Sequence, residues 1–345
     1  MTVSGSMLAV SLFFGLLCCT SLTESFLQIK TQTCGQSKPF FCAQYTESSV
    51  LISVHDEVID AAICRAMDKE LKAGCLSHTV FFRDSTPRTI VESVIHSLLT
   101  SINDVAPIVE YWWRDEWINL ELHRDLDEKL ALENGPHRCP NHAHVLYLDI
   151  GELALGPTIV LTDSVESNSK SFEKISVVPA VAGRLLRFAG QMMHAVPRPS
   201  LAYLDPEEGG SNLELWSRQR SDENSGLATR RSVLLFNTWT DSAPVDISLT
   251  PPKTSFESGQ LSLEKTVSHS NAYEKWKCVS PFPITPAVDG TLSEPLVRLK
   301  MGLLGDIRRR ERSDRYLNLY APVSIKESLS GLGGQPRSYP LSQKP

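Results

Sequence analysis

His123 and Asp125 stand two apart in the run W-I-N-L-E-L-H-R-D at 117–125, and their types and spacing suit metal chemistry. Side chains of a β-strand alternate faces, so an imidazole and a carboxylate at i and i+2 share a face and reach one ion. A second imidazole, His194, follows inside the short apolar stretch 192–196, which reads as another strand. Two histidines and one carboxylate grip one face of an octahedral ion and leave the opposite positions open, a ligand set suited to ferrous iron and oxygen chemistry.

The elements that must position these groups are legible around them. A strand at 50–54 is followed by a helix over 57–73 with Asp56 as its cap and Val58, Ile59, Ala62, Ile63 and Met67 on one face. Thr86-Pro87 opens a second helix whose apolar stripe is Ile90, Val91, Val94, Ile95, Leu98 and Leu99. Strand-like runs recur at 109–113, 145–149 and 156–161, at 183–191 before a glycine turn, and at 229–239, which opens with basic residues. The expected fold is mainly β with flanking helices, a double-stranded β-helix or jelly roll of two sheets carrying the ligands on successive strands.

This order of parts resembles the 2-oxoglutarate and Fe(II)-dependent dioxygenases, and within them the prolyl 4-hydroxylase-like group, over about residues 50–240. The resemblance rests on H-x-D at 123–125, the Tyr-Leu-Asp strand at 147–149, the Gly-x-Thr step at 156–158, G-R-L-L-x-F at 183–188, His194 and R-x-S at 230–232. It implies that His123, Asp125 and His194 bind Fe(II) and that O2 takes an open position. It also implies that Arg230 anchors the far carboxylate of 2-oxoglutarate, with Ser232 on the same strand face and Tyr147 touching the same carboxylate. A guanidinium suits that task because it meets a carboxylate through two parallel charge-assisted hydrogen bonds. The family sets this basic residue soon after the distal histidine, whereas Arg230 lies 36 positions beyond His194. The intervening 197–228 is rich in proline, glycine, serine and charge and reads as an inserted surface loop. Arg231 is the alternative anchor, since neighbours on a strand face opposite sides and only one of the two arginines can serve.

The implied reaction is oxidative decarboxylation of 2-oxoglutarate to succinate and CO2, coupled to hydroxylation of a C–H bond, with peptidyl proline as the implied substrate and ascorbate as an accessory reductant. Asp125 favours hydroxylation over halogenation, which needs its coordination position for halide. Two rivals stand beside this reading: a non-catalytic secreted jelly-roll binding protein, and an oxygenase of the same fold acting on a small molecule. Other patterns fail. His123-Arg124-Asp125-Leu126 mimics a kinase catalytic loop, but Leu130 stands where the magnesium-binding asparagine belongs. Cys139 with His137, His142 and His144 matches no common zinc spacing, and the group reads as loop histidines beside the active-site strand.

Composition bounds the rest. A net charge of −6 over 345 residues, with 41% hydrophobic residues, excludes a nucleic-acid footprint, and the basic run Arg308-Arg309-Arg310 is interleaved with acids. The N-terminus carries the apolar core of a secretory leader at 7–19, with small residues before Phe26, and reads as a signal peptide over 1–25. No stable membrane span is expected after its removal. Six cysteines then remain, Cys34, Cys42, Cys64, Cys75, Cys139 and Cys278, enough for three disulfides in the endoplasmic reticulum lumen or outside the cell. The acid-poor stretch 26–46 supports a second address, a plastid reached through a bipartite leader, where the cysteines stay reduced. The map is therefore leader 1–25, linker 26–48, oxygenase domain 49–250 with its insertion, and an irregular extension 251–345 with one helix at 296–310. Its partners are a peptide or small-molecule substrate, with the oligomeric state open.

Overall fold

A computed structural model describes residues 51–74, 78–133, 135–151, 154, 156–163, 171–204, 230–247, 285–286, 294–304, 316–330 and 334–342. The expected leader 1–25 and linker 26–48, and Cys34, Cys42, Cys75 and Cys278, lie outside them. Two six-stranded sheets form the frame. The first runs β1 (Ile52–His55), β8 (Leu185–Ala189), β5 (His142–Ile150), β10 (Arg231–Trp239), β3 (Ile108–Arg114) and β2 (Thr79–Phe82). The second runs β11 (Thr285–Pro286), β14 (Arg337–Pro340), β7 (Phe172–Val178), β6 (Thr158–Asp163), β9 (His194–Val196) and β4 (Leu120–His123). Every pairing is antiparallel except β11 with β14, and the fold is the expected jelly roll.

Four layers arise because both faces of the first sheet are apolar. Helices α1 (Ala61–Gly74) and α2 (Ile90–Ser101) cover its outer face, where Met67, Leu71, Ile95 and Leu98 meet Leu146, Leu234 and Phe236. Between the sheets, Val145, Tyr147, Val160, Leu186, Phe188 and Val233 form a second apolar layer. Beyond the second sheet lies a ribbon of β12 (Leu296–Gly302) and β13 (Tyr316–Pro322), with α4 (Ile325–Leu329) beside it. A short α3 (Glu128–Leu132) follows the H-x-D segment, capped by Asp127.

Several expectations are corrected. The helix expected at 296–310 is strand β12 where it is described, because Val297, Leu299 and Met301 are buried in alternation and the period is two. The first helix starts later than expected and is capped by Asp60, whose carboxylate accepts from the amides of Ala62 and Ile63 at 2.8 Å. Asp56 instead pairs with Arg184. The expected surface loop 197–228 begins as packed chain, with Tyr203 and Leu204 buried against the C-terminal ribbon; 205–228 lies outside the described residues. Cys64 and Cys139 are thiols, so three disulfides cannot be drawn from the six cysteines. His142 and His144 belong to β5 rather than to a loop.

Candidate metal centre

Pairing of β4 with β9 sets His123 directly opposite His194, with ring centroids 4.2 Å apart. β4 ends at His123, so Asp125 does not share its strand; the carboxylate reaches the histidines from the following turn. Asp125 Oδ1 stands 3.8 Å from His123 Nε2 and 3.7 Å from His194 Nε2, and one ligand atom of each of the three lies within 4.8 Å of the others.

The tautomers follow from the neighbours. His123 Nδ1 lies 2.7 Å from the Glu121 carbonyl oxygen and His194 Nδ1 lies 3.4 Å from that of Met192. A carbonyl only accepts, so each Nδ1 carries the proton and each Nε2 presents a lone pair toward Asp125. Burial pushes the His194 imidazole down to about 4, against the opposing pull of Asp125, so it is neutral near pH 7 and in the form a metal needs. Two bare imidazole nitrogens and one carboxylate oxygen fit a first-row divalent ion with open positions.

The triad opens on a cavity of about 830 Å³ between the sheets. At one end stands Arg231, the first residue of β10, 4% exposed. Its Nε donates to the Gly156 carbonyl oxygen and its Nη2 to Thr158 Oγ1, both at 3.0 Å, and its guanidinium carbon lies 5.3 Å from the Tyr147 ring centroid. Tyr147 is fully buried and its hydroxyl meets Thr158 Oγ1 at 2.7 Å. Burial lowers the Arg231 pKa, with the Tyr147 hydroxyl partly offsetting it. Among the described residues no carboxylate pairs with this buried cation.

Arg230 is placed elsewhere: of the two neighbouring arginines, Arg231 is the one that lines the cavity. Its guanidinium pairs with Asp68 of α1 and, at 2.9 Å, with Asp149. Ser232 shares that outward face, donating to Asp68 Oδ1 at 2.6 Å and accepting from Trp113 Nε1 at 2.9 Å. The inward set on β10 is thus Arg231, Val233, Leu235 and Asn237, all of which line the cavity. Tyr147 stands beside the inward arginine.

Sequence reasoning missed the cavity wall formed by β3. Glu110, Trp112 and Arg114 alternate on one strand face and all line the cavity. Their period-two spacing is visible in V-E-Y-W-W-R, but which face turns inward is not. Burial lowers the Arg114 pKa, while Asp125 and Glu128 raise it.

No protein-family model matches the sequence, and no curated protein matches it. Solved structures with a similar arrangement include a prolyl-4-hydroxylase from Pseudomonas putida, 12% identical, with a TM-score of 0.32 over 56% of this chain and 88% of that one. HygX from Streptomyces hygroscopicus, solved with nickel and 2-oxoglutarate, is 14% identical, with a TM-score of 0.31 over 60% of this chain and 94% of its own. A structure of prolyl 4-hydroxylases from Phytophthora capsici is 10% identical, with a TM-score of 0.32 over 66% and 81% of the two chains.

Proposed function

We propose that the chain is an Fe(II)- and 2-oxoglutarate-dependent dioxygenase that hydroxylates a C–H bond. The observation that carries this reading is the pairing, in one cavity, of an open two-histidine, one-carboxylate face with a buried guanidinium that meets no carboxylate among the described residues. A buried charge is costly unless it is compensated, so a cavity that keeps Arg231 dry is built to receive an anion there. Its fork suits a carboxylate, and Thr158 and Tyr147 hold it in place.

In this reading His123, Asp125 and His194 hold the metal, which when bound supplies the redox chemistry that couples O2 to the decarboxylation of a 2-oxo acid. The protein's own part is geometric. The two backbone carbonyls fix which imidazole nitrogens face the ion, Arg231 sets the depth of the cosubstrate, and the apolar layer of Val145, Val160 and Val233 excludes water around it. A pure binding module has no use for the metal-binding geometry.

Anaerobic titration of the purified protein with Fe(II) and 2-oxoglutarate tests the assignment. A weak metal-to-ligand absorption band is expected, and its absence sinks the proposal. The finer expectation of peptidyl proline is tested by succinate release with prolyl peptides set beside free amino acids and small metabolites.

A further inference from the structure

The end of the cavity away from Arg231 carries polar groups that the metal and the 2-oxo acid do not use. Glu110 on β3 is 6% exposed and Asn237 on β10 is 3% exposed, and the two are register partners. Asn237 Nδ2 and Trp239 Nε1 donate to Glu110 Oε2 at 3.4 and 3.2 Å, and His78 Nδ1 lies 3.3 Å from Oε1. No lysine or arginine pairs with Glu110 among the described residues. With its amide nitrogen turned to the carboxylate, Asn237 is left with a buried Oδ1 that has no hydrogen-bond partner. A buried carbonyl oxygen left unmet is costly, so its place on a cavity wall calls for a donor from outside the chain.

The wall stands level with the metal centre. Glu110, Asn237, Ala143 and Phe188 are successive register partners across the first sheet, spaced by about 4.8 Å, and the Phe188 ring lies 4.9 Å from that of His194. A molecule bound beside the triad therefore has Glu110 and Asn237 within its reach. Both offer acceptors, and Glu110 adds a negative charge. Trp112, two residues along β3 from Glu110, supplies an aromatic surface on the same wall.

Building on the dioxygenase reading, we propose that the substrate hydroxylated at this centre carries a cationic nitrogen, an ammonium or guanidinium, received by the Glu110 carboxylate and Asn237 Oδ1. Such a group supplies the donor that Asn237 Oδ1 lacks and a permanent positive charge beside Glu110, whose one ionisable neighbour among the described residues is the His78 imidazole. A neutral substrate can supply a donor but not the charge, and an anionic one is repelled by Glu110.

The test uses the full chain and probes of one scaffold differing only in charge: N-acetylated, amidated lysine and arginine, the neutral norleucine analogue and the acidic glutamate analogue. Binding is measured by calorimetry with and without Fe(II) and 2-oxoglutarate, and succinate release is followed in parallel. At least tenfold tighter binding of the cationic probes than of norleucine is expected, with that preference lost in Glu110→Gln and the 2-oxoglutarate absorption band retained. Equal binding of the lysine and norleucine probes, or a preference that survives Glu110→Gln, overturns the proposal while leaving the dioxygenase reading intact. Loss of the absorption band in the wild-type chain overturns the dioxygenase reading instead. Should Glu110→Gln fail to fold, Asn237→Ala removes the Oδ1 acceptor and leaves the Glu110 carboxylate in place; it is expected to weaken the cationic probes, and unchanged binding counts against the proposal.

Discussion

Arg231→Met separates the two arginines most sharply, because it should move cosubstrate affinity and protein stability by very different amounts. Met keeps much of the side-chain volume but removes the charge, along with two hydrogen bonds at 3.0 Å to Gly156 and Thr158. Truncating one partner of a buried, hydrogen-bonded charge pair costs roughly 2–5 kcal/mol. At about 1.4 kcal/mol per decade, that is a loss of roughly 30-fold to a few thousand-fold in 2-oxoglutarate affinity. Without 2-oxoglutarate the balance differs. Charged hydrogen bonds worth about 1.5–3 kcal/mol each are lost, but so is a desolvation penalty of several kcal/mol on an uncompensated cation. Stability of the metal-free protein is therefore expected to stay within about 2 kcal/mol of wild type. Arg230→Met is the control: it removes one partner of Asp68, which keeps Ser232 and Lys72, and the pair with Asp149, and should cost about 1–2 kcal/mol of stability with 2-oxoglutarate affinity unchanged. The assays are anaerobic titration of the absorption band and urea unfolding of the same samples. If Arg230→Met abolishes the band and Arg231→Met leaves it, the reasoning from the buried unpaired charge is wrong.

Other perturbations bear on the same frame. His123→Ala and Asp125→Ala should each eliminate 2-oxoglutarate-dependent succinate formation, and turnover at wild-type rate in either would refute the ligand assignment. Gly156→Ala should cost about 1–3 kcal/mol in urea unfolding, because its Cβ would meet Trp117 Nε1 at 2.3 Å, and 2-oxoglutarate should bind less tightly since the Gly156 carbonyl oxygen steadies Arg231. Unfolding of the metal-free protein should depend on pH with a definite sign. Burial holds His194 at about 4 and His144 at about 3, so below about pH 6.5 the unfolded chain takes up protons that the fold refuses. Stability therefore rises with pH at these two groups. Glu70 acts oppositely: burial raises it to about 7, and the fold keeps a proton that the unfolded chain has lost above about pH 4.5. His194 and His144, joined by His96, which burial also lowers, outweigh Glu70, so stability rises with pH between about pH 4.5 and 6.5. Urea midpoints at pH 4.5, 5.5 and 6.5 check it, Glu70→Gln should steepen the slope, and a flat profile would contradict the burial of the histidines.

The candidate metal ligands were readable in the chain because their residue types and the short H-x-D spacing single them out. An imidazole and a carboxylate two apart, followed by a histidine in a short apolar run, limit the chemistry whatever the rest of the fold does. The strands around them were legible for a similar reason, since 145–149, 156–161 and 229–239 are bounded by turn residues and rich in β-branched and aromatic side chains. The run at 296–302 was misjudged despite its alternation, because its apolar residues face the second sheet and the benefit of that contact is not written in the run itself.

What the sequence determined by itself is the candidate ligand set and the class of fold that can carry it. Which arginine faces the cavity was decided only in three dimensions. β10 is apolar on both faces, Val233 and Leu235 turning between the sheets while Leu234 and Phe236 turn to the helices, so alternation alone cannot tell inside from outside. Pairing with β3 and β5, with its register shift between Ser232 and Val233, made that choice and turned Arg231 inward. The same pairing placed Glu110 beside Asn237, more than a hundred residues apart in the chain, because a sheet makes neighbours of residues through register rather than through sequence.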